Sequence, residues 1–197
     1  MKAVVYTLGC KTNQYESGAV AKLLQEYGYQ ISDSFEKADL YIINTCAVTA
    51  EAERKSRQIA RRVNSVSPYS DVIILGCAAQ NAAKSFLEIP NVAAIGGLGG
   101  KVNIVQRYLD GERKFSDIFI SKTYEDQAVA QNRTRSYIKV QDGCNKFCSY
   151  CIVPLLRGRS RSRDIDSIIQ EIQKCNSKEI VLGGIDLSDY NYNGLTF

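Results

Sequence analysis

The sequence predicts an α/β protein in which a doubly wound parallel-sheet domain is followed by the beginning of a second α/β unit. Two observations carry this prediction. Near-continuous apolar runs at residues 3–8, 39–45 and 71–76 have the composition of parallel strands that are covered on both faces. Amphipathic stretches at residues 16–27 and 50–63 separate these runs and are typical of helices, so strands and helices alternate along the chain.

The same alternation continues with a strand at residues 92–95 and a helix at residues 101–109. The glycine-rich run GGLGGK before that helix lacks the spacing of a phosphate-binding loop, so it predicts only a turn. Periodicity fades over residues 110–134, where polar residues dominate. We therefore expect a first domain over residues 1–131 and a second over residues 132–197.

The second domain begins as one βαβ unit with a long first loop. Its strands are predicted at residues 137–140 and 179–182, and its helix at residues 164–174 with Asp164 as the N-cap. Two strands do not form a stable sheet or barrel alone. We therefore expect the chain to stop early in its second domain.

Composition excludes several classes of protein. With 197 residues, 45% hydrophobic and 23% charged, the chain lies in the globular range, and seven cysteines are far fewer than a disulfide scaffold contains. No secretory signal is evident, and the longest apolar run, residues 72–79, is too short to span a bilayer. We expect a reducing cytoplasm and no membrane partner. The absence of histidine excludes histidine-based acid–base catalysis and histidine metal ligands.

Three cysteines stand at or just beyond the ends of three predicted strands: Cys10, Cys46 and Cys77. Ligands of open α/β sheets bind at the carboxyl ends of the strands, so these thiols should lie along one edge and could converge. Each taken alone could also be a small buried apolar residue.

Cys144, Cys148 and Cys151 form a C-x3-C-x2-C pattern in the long loop of the second domain. Three thiolates without a fourth ligand make a poor structural zinc site. They suit an iron–sulfur cluster in which one iron stays open to an outside ligand. Cys175 stands apart and has no evident partner.

Positive charge concentrates in residues 133–163, which carry eight basic residues and a single acid, and a polyanion is the natural partner of such a segment. Arg157, Arg159, Arg161 and Arg163 alternate, so an extended segment would point all four guanidinium groups to one side, where they could contact RNA phosphates. A solvated loop, or pairing of some of these arginines within the site, is the alternative.

The C-x3-C-x2-C pattern with Tyr150 before its last cysteine resembles the signature of radical S-adenosylmethionine enzymes. Further stretches resemble the methylthiotransferases within that group, and within them the branch that acts on N6-threonylcarbamoyladenosine in tRNA. The stretches are TLGCKTNQYES at 7–17, NTCAVTAEAERKSRQ at 44–58, GCAAQ at 76–80, DGCNKFCSYCIVPLLRGRSRSR at 142–163 and EIVLGGIDLSDY at 179–190.

This resemblance implies two [4Fe-4S] clusters, S-adenosylmethionine as the other cofactor, and tRNA and a low-potential electron donor protein as partners. Cys144, Cys148 and Cys151 match the ligands of the radical-generating cluster, and Cys10, Cys46 and Cys77 match those of an auxiliary cluster that holds the sulfur to be transferred. Tyr150 would lie against the adenine, and a segment with Gly183 and Gly184 near the methionine amine. No catalytic residue beyond the cluster ligands is implied.

The resemblance also implies the start of a partial (β/α) barrel in the second domain, the rest of which, with a small RNA-binding module, would lie beyond Phe197. We therefore expect weak or no turnover from this chain. Other hypotheses are a truncated, non-catalytic RNA-binding module that holds iron–sulfur clusters or zinc, and a methylthiotransferase acting on isopentenyladenosine.

Overall fold

The computed structural model describes residues 1–127 and 134–197, which divide into two compact units, Met1–Phe119 and Ile120–Phe197. The predicted boundary between residues 131 and 132 lies outside the described residues. Within the described ranges, no helix combines the length and apolar composition needed to cross a membrane.

The first unit alternates strands and helices almost throughout. Its elements are β1 (Lys2–Thr7), α1 (Lys11–Glu26), β2 (Gln30–Ser32), β3 (Leu40–Thr45), α2 (Ala50–Val66), β4 (Asp71–Gly76), α3 (Cys77–Leu87), β5 (Val92–Gly96), α4 (Lys101–Leu109) and β6 (Phe115–Asp117).

All six strands form one parallel sheet in the order β2-β1-β3-β4-β5-β6. Helix α1 packs beside α4 and helix α2 beside α3, so helices cover both faces. The predicted doubly wound α/β fold is confirmed. In this strand order the connections change direction between β1 and β3, and such a switch point opens a crevice at the carboxyl ends of the two strands.

The core of this unit comes from the apolar strand runs that the sequence analysis identified. Strand β3 is buried along its whole length, and Leu40, Ile42, Ile73 and Leu75 pack in one cluster with residues of α1 and α4. Burying each such side chain contributes roughly 1.5–3 kcal/mol. The sheet is therefore a rigid frame for whatever its strand ends carry.

Three features of the first unit differ from the prediction. Helix α1 begins at Lys11, five residues before the predicted start, because its first turns bury the polar residues Thr12, Asn13 and Glu16, which leave no apolar periodicity. Helix α3 was not predicted, since VIILGCAA reads as one apolar run although the strand ends at Gly76 with φ +99°. The edge strands β2 and β6 were not predicted either, because each has only three residues and lacks a continuous apolar run.

The second unit contains the predicted βαβ core and several short additions. Its elements are β7 (Arg135–Lys139), β8 (Gln141–Asp142), α5 (Val153–Arg157), β9 (Arg161–Ser162), α6 (Ile165–Lys174), β10 (Glu179–Gly183), a 3-10 turn (Leu187–Asp189), β11 (Asn191–Tyr192) and β12 (Leu195–Thr196).

Strands β7 and β10 are parallel neighbours, as a βαβ unit requires, and α6 connects them. The Asp164 side chain accepts a hydrogen bond from the Ser167 amide at 3.0 Å, so the predicted N-cap is confirmed. Ile138, Val140, Ile168 and Tyr190 form a small separate core. The antiparallel pair β8 and β9 brackets the cysteine loop.

Candidate metal centres

The first three cysteines follow the ends of three adjacent strands. Cys10 comes three residues after β1, Cys46 directly after β3, and Cys77 directly after β4. The register pairs Thr45 with Gly76, so Cys46 and Cys77 follow partners on neighbouring strands, which lie about 4.8 Å apart in parallel sheets. The thiols therefore occupy the carboxyl edge of the sheet, with Cys10 and Cys46 flanking the switch point.

The turn before Cys10 lies directly against Cys46. Gly9 has φ +98°, and a Cβ atom placed on it would lie 3.0 Å from the Cys46 Sγ atom and 2.9 Å from its Cβ. Only glycine allows this conformation and this close approach. Cys10 is exposed, whereas Cys46 and Cys77 are buried, so this group of thiols opens to solvent on the Cys10 side.

Buried polar side chains hold the backbone on which these cysteines stand. The Asn13 side-chain amide donates to the Leu8 carbonyl at 2.9 Å and the Thr45 carbonyl at 3.0 Å, and so ties the ends of β1 and β3 together. The Thr45 hydroxyl accepts hydrogen bonds from the amides of Ala78 and Ala79, at 3.1 and 3.2 Å. Sequence analysis did not identify Asn13 and Thr45. Their distinguishing feature is that they are polar yet buried near strand ends, and burial of a polar side chain cannot be read from the sequence pattern.

The second group of cysteines lies on the loop between β8 and α5. Cys144 is half-buried and its amide donates to the Gly158 carbonyl at 3.1 Å, which closes the base of the loop. The Cys151 amide donates to the Cys148 carbonyl at 2.9 Å, so these two form one turn. Gly143 has φ +75°, and a Cβ atom there would collide with the Arg159 carbonyl. Glycine is therefore required just before Cys144.

Two carboxylates that sequence analysis did not single out lie beside Cys144. Its Sγ atom and oxygens of Asp186 and Asp189 all lie within 4.8 Å of one another. The backbone amide of Lys146 lowers the pKa of the Cys144 thiol, but burial and the neighbouring Asp186 carboxylate raise it, and the net shift is upward. Lys146 pairs with Asp186 at 3.1 Å and so offsets part of the negative charge.

The glycines that precede Asp186 are required by packing within this unit. A Cβ atom on Gly183 would overlap the ring of Tyr137, and one on Gly184 would lie 2.8 Å from the Gln141 side chain. The Gln141 side-chain oxygen in turn accepts the Ile185 and Asp186 amides, at 2.9 and 2.8 Å. Contact of Gly183 and Gly184 with a methionine amine stays a prediction.

The expectation that an extended segment presents four arginines to one side is wrong. Helix α5 ends at Arg157, and Gly158 follows with φ +78°, so the segment is not extended. Asp142 accepts Lys139 at 2.8 Å, Arg157 at 2.9 Å and Arg161 at 3.2 Å, so one carboxylate gathers three cations. We call these four residues the Asp142 hub.

Arg163 is also buried, and it pairs with Glu171 and, at 2.7 Å, with Asp126. Among the four arginines, Arg159 alone is exposed, and its guanidinium lies 4.4 Å from the centre of the Phe147 ring. The alternative that some of these arginines pair within the site is thus correct for Arg157, Arg161 and Arg163. RNA contact stays a prediction, and among these four only Arg159 presents an accessible guanidinium for it.

The donor sets suit iron–sulfur clusters. All seven cysteines are free thiols, and each trio offers three of them in a chain without histidine. Cysteine thiolates hold iron–sulfur clusters, whereas a structural zinc site takes four protein ligands. Tyr150, beside Cys151, is 90% exposed and can stack on a planar ligand.

Two families match the chain. The uncharacterized protein family UPF0004 matches residues 2–97, the unit that carries Cys10, Cys46 and Cys77, and the radical SAM superfamily matches residues 138–195.

Curated relatives cover almost the whole chain. The chain is 38% identical to threonylcarbamoyladenosine tRNA methylthiotransferase MtaB of Bacillus subtilis, over 95% of this chain and 46% of the relative. It is 31% identical to tRNA-2-methylthio-N(6)-dimethylallyladenosine synthase of Porphyromonas gingivalis (97% and 45%). It is 37% identical to ribosomal protein uS12 methylthiotransferase RimO of Rippkaea orientalis (85% and 38%).

The chain thus spans less than half the length of each of these three relatives. Methylthiotransferases of this kind use S-adenosylmethionine and two [4Fe-4S] clusters, which agrees with two separate groups of free thiols. The UPF0004 and radical SAM matches occur in the order that the two compact units have along the chain. The chain belongs to the radical SAM methylthiotransferase family.

Proposed function

We propose that this chain carries the cluster-binding part of a tRNA methylthiotransferase that converts N6-threonylcarbamoyladenosine at position 37 into its 2-methylthio derivative. The observation that carries the proposal is the placement of two all-thiol groups, one at the carboxyl edge of the parallel sheet and one on the loop after β8. Each group offers three thiolates and no histidine, which leaves a fourth corner open.

Each group of residues has a distinct role in this proposal. Cys10, Cys46 and Cys77 hold the auxiliary cluster, and the loop that carries Cys144, Cys148 and Cys151 holds the second. When bound, the second cluster and S-adenosylmethionine supply the radical chemistry that an unactivated aromatic C–H bond needs. Tyr150, which is exposed, would stack on the adenine of the cofactor, and the backbone at Gly183 and Gly184 would hold its methionine end.

The nucleoside substrate is the finer part of the proposal. The relative at 38% identity is named for threonylcarbamoyladenosine, and the stretch GCKTNQYES at residues 9–17 favours the same branch. Relatives named for dimethylallyladenosine and for ribosomal protein uS12 make those substrates the alternatives. We also propose a cytoplasmic location, because tRNA is the substrate, and a low-potential electron donor protein as partner.

The test begins with the anaerobically reconstituted chain, S-adenosylmethionine and dithionite. We expect 5'-deoxyadenosine, although slowly, because the chain spans less than half of its relatives. Cys148→Ala should abolish 5'-deoxyadenosine and leave the absorbance of the auxiliary cluster. The control Cys175→Ala, outside both groups, should still form 5'-deoxyadenosine. A chain with both clusters loaded that releases no 5'-deoxyadenosine, under conditions in which the full-length Bacillus subtilis relative releases it, would favour the non-catalytic RNA-binding module.

The substrate is then tested with tRNAs that carry either modified adenosine. Nucleosides from the treated tRNA are separated by chromatography and their masses are measured by mass spectrometry. We expect the 2-methylthio mass increase on N6-threonylcarbamoyladenosine, and an increase confined to isopentenyladenosine would assign the other branch.

A further inference from the structure

Lys101 is a buried lysine that the proposed chemistry does not use. It is the first residue of α4, directly after Gly100, whose φ of +65° ends the glycine-rich run. The side chain is 1% exposed and pairs with Glu16, whose side chain is 5% exposed. The Lys101 ammonium also donates to the Asn44 side-chain oxygen at 3.0 Å. The Lys101 ammonium, directly after the glycine-rich turn, therefore lies in the interior of the first unit.

Stability alone is a weak explanation for such a pair. Removing two charges from water costs several kcal/mol per ion, and apolar residues of similar volume often serve a fold equally well or better. The buried pair is therefore better explained by a role in the structure next to it.

The pair is connected to the backbone that leads into each of the first three cysteines. Asn44 donates to the Asn13 carbonyl at 2.9 Å, and Asn13 donates in turn to the carbonyls of Leu8 and Thr45. The Asn44 oxygen that accepts from Lys101 also lies 2.5 Å from where a Cβ atom on Gly76 would be. Leu8, Thr45 and Gly76 precede Cys10, Cys46 and Cys77 by one or two residues.

We propose that the buried Lys101–Glu16 pair, acting through Asn44 and Asn13, positions these three cysteines and sets the reduction potential of the cluster they hold. This inference rests on the proposed function, because it requires a cluster at that site. Lys101 is a positioning residue that acts through Asn44 and Asn13.

The direction of the effect follows from charge. One-electron reduction adds one negative charge to an iron–sulfur cluster, and buried charges nearby are poorly screened. The Lys101 ammonium therefore favours the reduced state, and the Glu16 carboxylate disfavours it. Removal of each charge should shift the potential in opposite directions, whereas a purely structural role would change both variants in the same way.

The experiment isolates this cluster in the full 197-residue chain by changing Cys144, Cys148 and Cys151 to alanine. Lys101→Met, Glu16→Gln and the double variant are reconstituted anaerobically with iron and sulfide. Dithionite is the electron donor in a redox titration followed by electron paramagnetic resonance. Lys22→Met, an exposed lysine on the same helix as Glu16, is the matched control.

We expect a more negative midpoint potential for Lys101→Met, a more positive one for Glu16→Gln, and values close to the parent for the double variant and for Lys22→Met. Equal potentials, or shifts of the same sign, in variants that hold a full complement of iron and sulfide would overturn the inference. If one single variant fails to load a cluster, the other decides: a shift of the expected sign supports the inference, and a potential equal to that of the parent refutes it. A parent chain without iron and sulfide would instead refute the proposed function.

Discussion

The Asp142 hub closes the loop that carries Cys144, Cys148 and Cys151, so the change Asp142→Asn tests how that loop is held. Asp142 lies before the loop, and its partners Arg157 and Arg161 lie after it. The Asp142 carboxylate also accepts the Gly143 amide at 2.8 Å. Asparagine preserves the volume of the side chain but replaces one carboxylate oxygen with an NH2 group. That group is a donor, and the lysine and arginine side chains beside it can also only donate.

The structure gives the size of the effect. The Asp142 side chain is 11% exposed, and those of Lys139 and Arg157 are 7% and 2% exposed, so their charges are largely desolvated. Removing one partner from such a buried arrangement costs about 3–5 kcal/mol, because the remaining charges stay buried without compensation. The exposed pair of Arg135 and Glu179, at 2.8 Å, is worth about 0–1 kcal/mol.

The assay is urea unfolding of the cluster-free chain, followed by circular dichroism, with Glu179→Gln as the matched carboxylate-to-amide control. We expect Asp142→Asn to reduce the free energy of unfolding of the second unit by about 3–5 kcal/mol, and to weaken iron retention by the cysteine loop after reconstitution. An unfolding free energy indistinguishable from that of Glu179→Gln would refute the reasoning, because the hub would then not hold the loop.

Three further predictions test other parts of the molecule. Cys46→Ala should reduce the iron content of the reconstituted chain by about half, since one of two four-iron clusters is lost; iron content unchanged from the parent would contradict the assignment. Gly143→Ala should lower the thermal midpoint, because φ +75° costs a non-glycine residue about 1–2 kcal/mol and its Cβ meets the Arg159 carbonyl; an unchanged midpoint would argue against that turn. Thr49→Ala removes the cap that accepts from the Ala52 amide at 3.1 Å and should cost about 1 kcal/mol in denaturant unfolding, whereas the neighbouring change Val48→Ala, at an exposed side chain, should cost less.

Sequence patterns were sufficient for the frame of the first unit because its strands are apolar on both faces. The runs over β1, β3 and β4 gave the strands, and the order of elements gave the parallel sheet. Pattern analysis failed where burial is polar. The first turns of α1 bury Asn13 and Glu16, and α4 buries Lys101, so hydrophobic periodicity could not reveal that these residues lie inside.

The candidate sites divide in the same way. Spacing was enough to find the six cysteines, because thiols at strand ends and on one short loop are local features. Charge partners were not local. Arg157 meets Asp142 across the whole cysteine loop, and Arg161 meets it only after the chain has turned at Gly158. Arg163 meets Glu171 across the first turns of α6. One-dimensional alternation therefore predicted an exposed basic strip where the fold makes buried ion pairs.

If each of the two thiol groups holds a [4Fe-4S] cluster with an open corner, metal and acid-labile sulfide analysis of the anaerobically reconstituted chain will show both clusters. We expect about eight irons and about eight sulfides for each chain, with half of each lost when either cysteine group is changed to alanine. Bound zinc without sulfide would contradict this expectation.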